Sequence, residues 1–109
     1  MNSNYSVFYS SEALNDLEDI YRYLAFDLLI PDVAEEQVNR IKLKIRSLNF
    51  MPSRNPIIDW EPWKSQGMHK FLVDAFVVVY MVNCDNATVQ VARIIYSGRD
   101  IATIASRAH

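Results

Sequence analysis

Cysteine and glycine are nearly missing from this chain of 109 residues, which holds one of the first and two of the second. A single Cys84 cannot close an intramolecular disulfide, and no Cys-x-x-Cys or histidine-rich spacing suggests a metal, so a reducing compartment fits. With so little glycine there is no glycine-rich phosphate loop, and neither G-x-S-x-G nor H-E-x-x-H occurs. The two histidines, His69 and His109, lie far apart in the sequence. No metal and no cofactor are expected. Long apolar runs are missing too: the longest, "AFVVVYMV", has 8 residues, against about 20 needed to cross a bilayer. The opening "MNSNYSVFYSS" has no charged start and no apolar stretch, so no signal peptide is expected. These absences predict a soluble, cytoplasmic protein that does not touch the membrane.

A strong excess of either charge is also absent, with 11 basic and 13 acidic side chains. The net charge of −2 argues against a generally basic nucleic-acid binder. Residues 1–49 carry 8 acids and 5 bases, and residues 50–109 carry 5 acids and 6 bases. An anion-binding surface is therefore expected to be local and to lie in the second half.

What the chain does have is hydrophobic material: 50% apolar and 12% aromatic residues, enough for one core in one domain spanning 1–109. "YSVFY" (5–9) alternates and is rich in aromatic residues, so it reads as a strand. Ser10 and Ser11 offer an N-cap, with Glu12 and Asp16 following. Ala13, Leu14, Leu17, Ile20, Tyr21, Leu24 and Leu28 then recur at helical spacing, predicting a helix over about 11–28. Pro31 suits the first turn of a second helix. Its stripe, Ala34, Val38, Ile41, Ile45 and Leu48, extends over about 32–49. The short link makes the two an antiparallel hairpin.

Pro52 and Pro56 end the helical pattern, and 50–67 reads as a loop carrying Trp60 and Trp63. Two tryptophans in such a loop either lock it onto the core or meet a partner, more readily than they serve as stacking platforms for bases. After Gly67 the period becomes two. "MHKFLVD" and "FVVVYMV" meet at Asp74-Ala75, "CDNAT" is a turn, and "VQVARIIY" is the last strand. The three form an antiparallel meander, whose very apolar middle strand is expected to be central and covered on both faces. Asp100 caps a short helix to about Arg107. The fold class is α+β: an N-terminal strand, a helical hairpin packed on an antiparallel sheet (β-α-α-β-β-β) and a short C-terminal helix.

Residues able to do chemistry are Lys64, His69, Lys70, Arg93, Tyr96, Arg99 and Asp100, which the meander is expected to gather at one end. Metal-free cleavage of RNA needs a base for the 2′-hydroxyl, cations for the pentavalent phosphate and an acid for the leaving oxygen. His, Lys, Arg and Tyr supply these between them. Strand alternation puts Tyr96 on the face of Ile94 and Ala92, and Arg93 on the opposite face with Ile95 and Val91. Arg93 therefore suits a structural contact better than a shared groove, unless a bulge intervenes.

In this order, "YSVFYSSEALNDLEDIYRYL", Pro31 with Ala34, "LNFMP", "GMHKFLVDAFVVVYMV" and "VARIIYSGRD" resemble the RelE/ParE toxins of type II toxin–antitoxin modules, over about residues 5–101. The resemblance implies a toxin whose cognate antitoxin wraps around it with a helical or extended segment. RelE-like members enter the ribosome and cut mRNA; ParE-like members poison DNA gyrase and cut nothing. Arg99 matches an arginine that stabilises the phosphate in RelE-like enzymes, and His69 and Lys70 fall where the family often has basic residues. Tyr96 stands where many relatives have a histidine. The first expectation is thus a ribosome-dependent mRNA endonuclease with Arg99, Tyr96 and His69 as catalytic residues. Lys64, Lys70 and Arg93 complete it as substrate contacts.

Three departures favour the gyrase alternative. Val77 stands where many ribosome-dependent members carry an arginine, the C-terminal "IATIASRAH" lacks a tyrosine some enzymes use, and the pI of 5.6 is low for docking on ribosomal RNA. A degenerate member that only binds its antitoxin is the third reading.

Overall fold

A computed structural model of the chain describes residues 4–96. Arg99, Asp100, the expected C-terminal helix and His109 lie outside the described residues. The elements are β1 (Ser6–Tyr9), α1 (Ser11–Arg22), α2 (Pro31–Arg46), β2 (His69–Val73), β3 (Phe76–Asn83) and β4 (Thr88–Tyr96). No described helix is long and apolar enough to cross a membrane.

α1 begins as its sequence dictates: the Ser10 hydroxyl accepts from the Ala13 N–H at 3.0 Å, satisfying one of the free amide donors of the first turn. Its C-terminal end differs from the expected continuous helix. Residues Tyr23–Asp27 widen into a π-turn, and the Ile30 N–H reaches back to the Leu24 carbonyl. Leu29, with φ 59, supplies the left-handed residue that a glycine would usually provide. α2 starts at Pro31 and runs to Arg46, then tightens into a 3-10 turn over Ser47–Asn49.

The sheet order is β1-β4-β3-β2. β2, β3 and β4 form the expected antiparallel meander. β1 pairs with β4 in parallel, so the sheet is mixed; nothing in a four-residue edge strand announces its direction. β3 is interior, and its side chains alternate between two cores. Phe76, Val78 and Tyr80 join Ala13, Leu17, Ile41, Ile45 and Leu48 beneath the helices. Val77 and Val79 join Ile58, Trp63, Met68 and Ile95 beneath the 50–68 segment. Double coverage is why β3 reads as an unbroken apolar run instead of an alternating one. The α2 stripe is buried as expected, whereas Leu14, Tyr21 and Leu28 of the α1 stripe are exposed. The apolar stripe of α1 is wider than the strip of sheet it covers.

Candidate functional site

Among the described residues, His69 and Tyr96 do not converge. In a three-strand meander the first and third strands run the same way, so the start of β2 and the end of β4 lie at opposite ends of the sheet. His69 pairs with Tyr80 and Tyr96 with Phe76. Those partners are four residues apart on β3, about 13 Å along the strand. His69 and Tyr96 are therefore not gathered at one end.

His69 is nearly buried and lies flat against Tyr80, with ring centroids 5.3 Å apart and planes 19° from parallel. Its Nδ1 is 2.7 Å from the Asn55 carbonyl. A carbonyl only accepts, so Nδ1 carries the proton and Nε2 alone remains for exchange. The Tyr80 hydroxyl donates to the Pro52 carbonyl at 2.6 Å and accepts from the Asn55 amide at 2.9 Å. Burial pushes the Tyr80 phenol above its usual value, with the Asn55 hydrogen bond opposing. This network ties the 50–55 segment to the sheet.

Arg93 holds Asp16 through two hydrogen bonds, Nε to Oδ2 at 2.9 Å and a terminal nitrogen to Oδ1 at 3.1 Å. Asp16 also accepts from the Ile94 N–H at 2.8 Å, and the Ser10 hydroxyl donates to the Ala92 carbonyl. β1 ends at Tyr9, so α1 completes the hydrogen bonding of β4 beyond it. The carboxylate raises the Arg93 pKa still further. The register between β3 and β4 skips at Val79/Tyr80, leaving Ala92 as an extra residue. This bulge corrects the expected faces: Ala92 joins Ile95 in the loop-side cluster and Val91 joins the helix-side core. From Arg93 onward alternation is regular, so Arg93 and Tyr96 face opposite ways.

Cations do gather in one place. A groove of about 740 Å³ lies beside β2, whose outer edge is bridged by Ile57 at His69, and is lined by Lys44, Ser47, Arg54, Asn55, Trp60, Lys70, Leu72 and Val77, among others. No carboxylate lines it. Lys70 stands 4.6 Å above the Trp60 ring. Arg54 is fixed by donating to the Phe50 and Met51 carbonyls and the Ser47 hydroxyl. Lys64 instead pairs with Asp59 at 3.7 Å. Sequence reasoning found Lys70 but missed Lys44 and Arg54. Lys44 sits in the acidic first half, and Arg54 lies in what reads as an unstructured loop.

The second feature is apolar. Tyr96 is exposed and packs on Phe76, centroids 5.9 Å apart. Both line a cavity of about 530 Å³ with Ile20, Tyr23, Leu24, Leu28 and Val33. Phe26 and Leu29 at the tip of the hairpin are 67% and 76% exposed.

Residues 7–101 match the family model of the ParE toxin of type II toxin–antitoxin systems, parDE. The chain belongs to the ParE toxin family. Its fold is similar to the toxin structure from the chromosomal ParDE system of P. aeruginosa, at 20% identity and a TM-score of 0.69, covering 87% of this chain and 98% of that one. It is also similar to a mutant E. coli toxin RelE in the free state, at 12% identity and a TM-score of 0.60, covering 97% and 99%. A third likeness is to the archaeal RelE-RelB complex from Pyrococcus horikoshii, at 12% identity and a TM-score of 0.59, covering 89% and 99%. No curated protein matches.

Membership in the ParE family makes the chain a toxin of a type II toxin–antitoxin module. Val77 is the position at which the resemblance to many ribosome-dependent members leads an arginine to be expected. It is 4% exposed and packs with Trp63.

Proposed function

We propose that this ParE-family toxin acts by binding DNA gyrase and does not cleave RNA. The observation that carries this reading is the separation of its acid–base candidates, since His69 and Tyr96 pair with opposite ends of the β3 core. General acid–base catalysis needs both groups within hydrogen-bond reach of one substrate. His69 has in addition committed one nitrogen to Asn55, and the buried Val77 supplies no cation. Family membership supports the same target.

A cognate antitoxin is the second partner, supported by the ParDE description of the family and of the P. aeruginosa neighbour. The apolar cavity beside Phe76 and Tyr96, with the exposed side chains of the hairpin tip, suits a protein partner, because contiguous apolar surface of this kind is costly to leave in water.

The alternative is the ribosome-dependent mRNA endonuclease, with Arg99, Tyr96 and His69 as catalytic residues and Lys64, Lys70 and Arg93 at the substrate. One observation favours it: the cationic groove that contains Lys70.

Expressing the chain without an antitoxin and mapping both mRNA ends and chromosomal breaks separates the two. Breaks that disappear in cells carrying a gyrase variant refractory to such toxins, with intact mRNA, are expected. New mRNA ends at translated codons with intact DNA would overturn the proposal.

A further inference from the structure

The groove along β2 is more selective than its charge count suggests. Most other described cations are neutralised: Arg22 by Glu18, Arg40 by Asp74, Lys64 by Asp59 and Arg93 by Asp16. Lys44, Arg54 and Lys70 form none of these ion pairs, and all three line the same groove. Lys44 feels the Asp74 carboxylate at longer range; in a chain of net charge −2, three cations outside these ion pairs, converging on a concave surface lined by no carboxylate, make a local anion site. Arg54 is held in position by carbonyls and a hydroxyl. These acceptors orient its guanidinium without cancelling its charge.

Two further features indicate what kind of anion. Trp60 lies in the groove, and its indole N–H is buried with no hydrogen-bond acceptor among the described residues. Ser47 and Asn55 also line the groove, the Ser47 hydroxyl donating to the Lys44 carbonyl and the Asn55 amide to Tyr80. The volume of about 740 Å³ falls within the range of about 300–1,000 Å³ typical of small-molecule sites. A nucleic-acid strand is held by a succession of aromatic platforms along a cationic track. Here a single tryptophan stands beside three cations, a match for one base and one polyphosphate.

We propose that this groove binds a free nucleoside triphosphate, with the phosphates on Lys44, Arg54 and Lys70 and the base against Trp60 and Leu72. The endonuclease reading would give this same groove to mRNA, and the oligonucleotide arm below separates the two occupants.

The test is titration of the purified full chain with ATP and with GTP, followed by tryptophan fluorescence and calorimetry. Adenosine, inorganic triphosphate and a twelve-residue oligo-dT serve as separate arms. Saturable one-to-one binding of the triphosphates is expected, with adenosine silent and inorganic triphosphate weaker than ATP. Lys44→Gln and Lys70→Gln are each expected to raise Kd about five- to tenfold, the loss of one charge-assisted contact. Lys42→Gln, an exposed position outside the groove, should leave it unchanged, and circular dichroism should show all three variants folded. The proposal is overturned by no saturable binding, by adenosine binding as well as ATP, or by equal effects of the three substitutions. Inorganic triphosphate equal to ATP, or oligo-dT displacing ATP at lower concentration, would also overturn it.

Discussion

The two faces of one strand, β3, have been built in different ways. On the helix side, Val78 and Tyr80 meet long periodic elements whose stripes, Ile41–Ile45–Leu48 and Ala13–Leu17, repeat at helical spacing. On the other side, Val77 and Val79 meet an irregular segment that supplies Ile58, Trp63 and Met68 one at a time. On the helix side α1 also closes the free edge of β4, its Asp16 accepting from the Ile94 N–H, and an apolar cavity opens at the hairpin end. The irregular face borders the cationic groove. Within one small sheet, periodic stripes pack the helix side, and the unpaired charge collects where the end of α2, the 3-10 turn at Arg54 and β2 meet.

Breaking each face separately tests this contrast, and the largest effect should come from the helix side. Ile41→Ala removes a fully buried side chain and should cost about 4 kcal/mol in urea unfolding. Ile58→Ala, equally buried, should cost less, about 2–3 kcal/mol, because an aperiodic segment collapses more readily onto a cavity than a helix does. Equal losses would mean that the two faces are equally rigid.

Asp16→Ala comes next. It strands the Arg93 guanidinium and the Ile94 N–H together, at a cost of about 2–3 kcal/mol, below that of a fully buried pair because Arg93 is partly exposed.

Tyr80→Phe should cost about 1–2 kcal/mol at neutral pH by leaving the Pro52 carbonyl and the Asn55 amide short of a partner. It also changes the alkaline limb. Burial raises the Tyr80 pKa above its usual 10.0, so the unfolded chain loses this proton first. The corresponding stability is complete below about pH 10 and lost as pH rises through the folded-state value. The variant should show a shallower alkaline loss, with Tyr9, raised by burial, and Tyr5, raised by its hydrogen bond with Cys84, contributing to what remains.

The smallest effect is at the β2–β3 turn. Hydrogen bonds from Gln37 and then Arg40 lower the Asp74 pKa from 3.8. Its contribution is present above the unfolded value and fades as pH falls through the folded one. Asp74→Asn tolerates the left-handed backbone at this position and should flatten the acid limb of the urea midpoint slightly. An unchanged acid limb would remove Asp74 from the account.

Legibility in the sequence followed the same division. The α2 stripe, the Ser10 cap, the meander and the double coverage of β3 were all readable, because each rests on a repeating period or a local hydrogen bond. The parallel direction of β1 was not, since the direction of a short edge strand is set by the path of distant elements. Arg54 and Lys44 escaped because the groove joins the end of one helix, a 3-10 turn and a strand, which share no local pattern. The bulge at Ala92 moved Val91 and Ala92 to unexpected faces, while the opposition of Arg93 and Tyr96 was foreseen. The error over His69 and Tyr96 was topological: strands one apart in a meander run in the same direction, so their opposite ends cannot meet.

That separation leads to the most direct measurement. The purified chain is added in parallel to gyrase with supercoiled DNA and ATP, and to ribosomes translating a defined mRNA. Gyrase-dependent DNA cleavage that increases with the amount of chain is expected, with the mRNA remaining full-length. Specific mRNA cleavage on the ribosome, with gyrase unaffected, would contradict the gyrase reading.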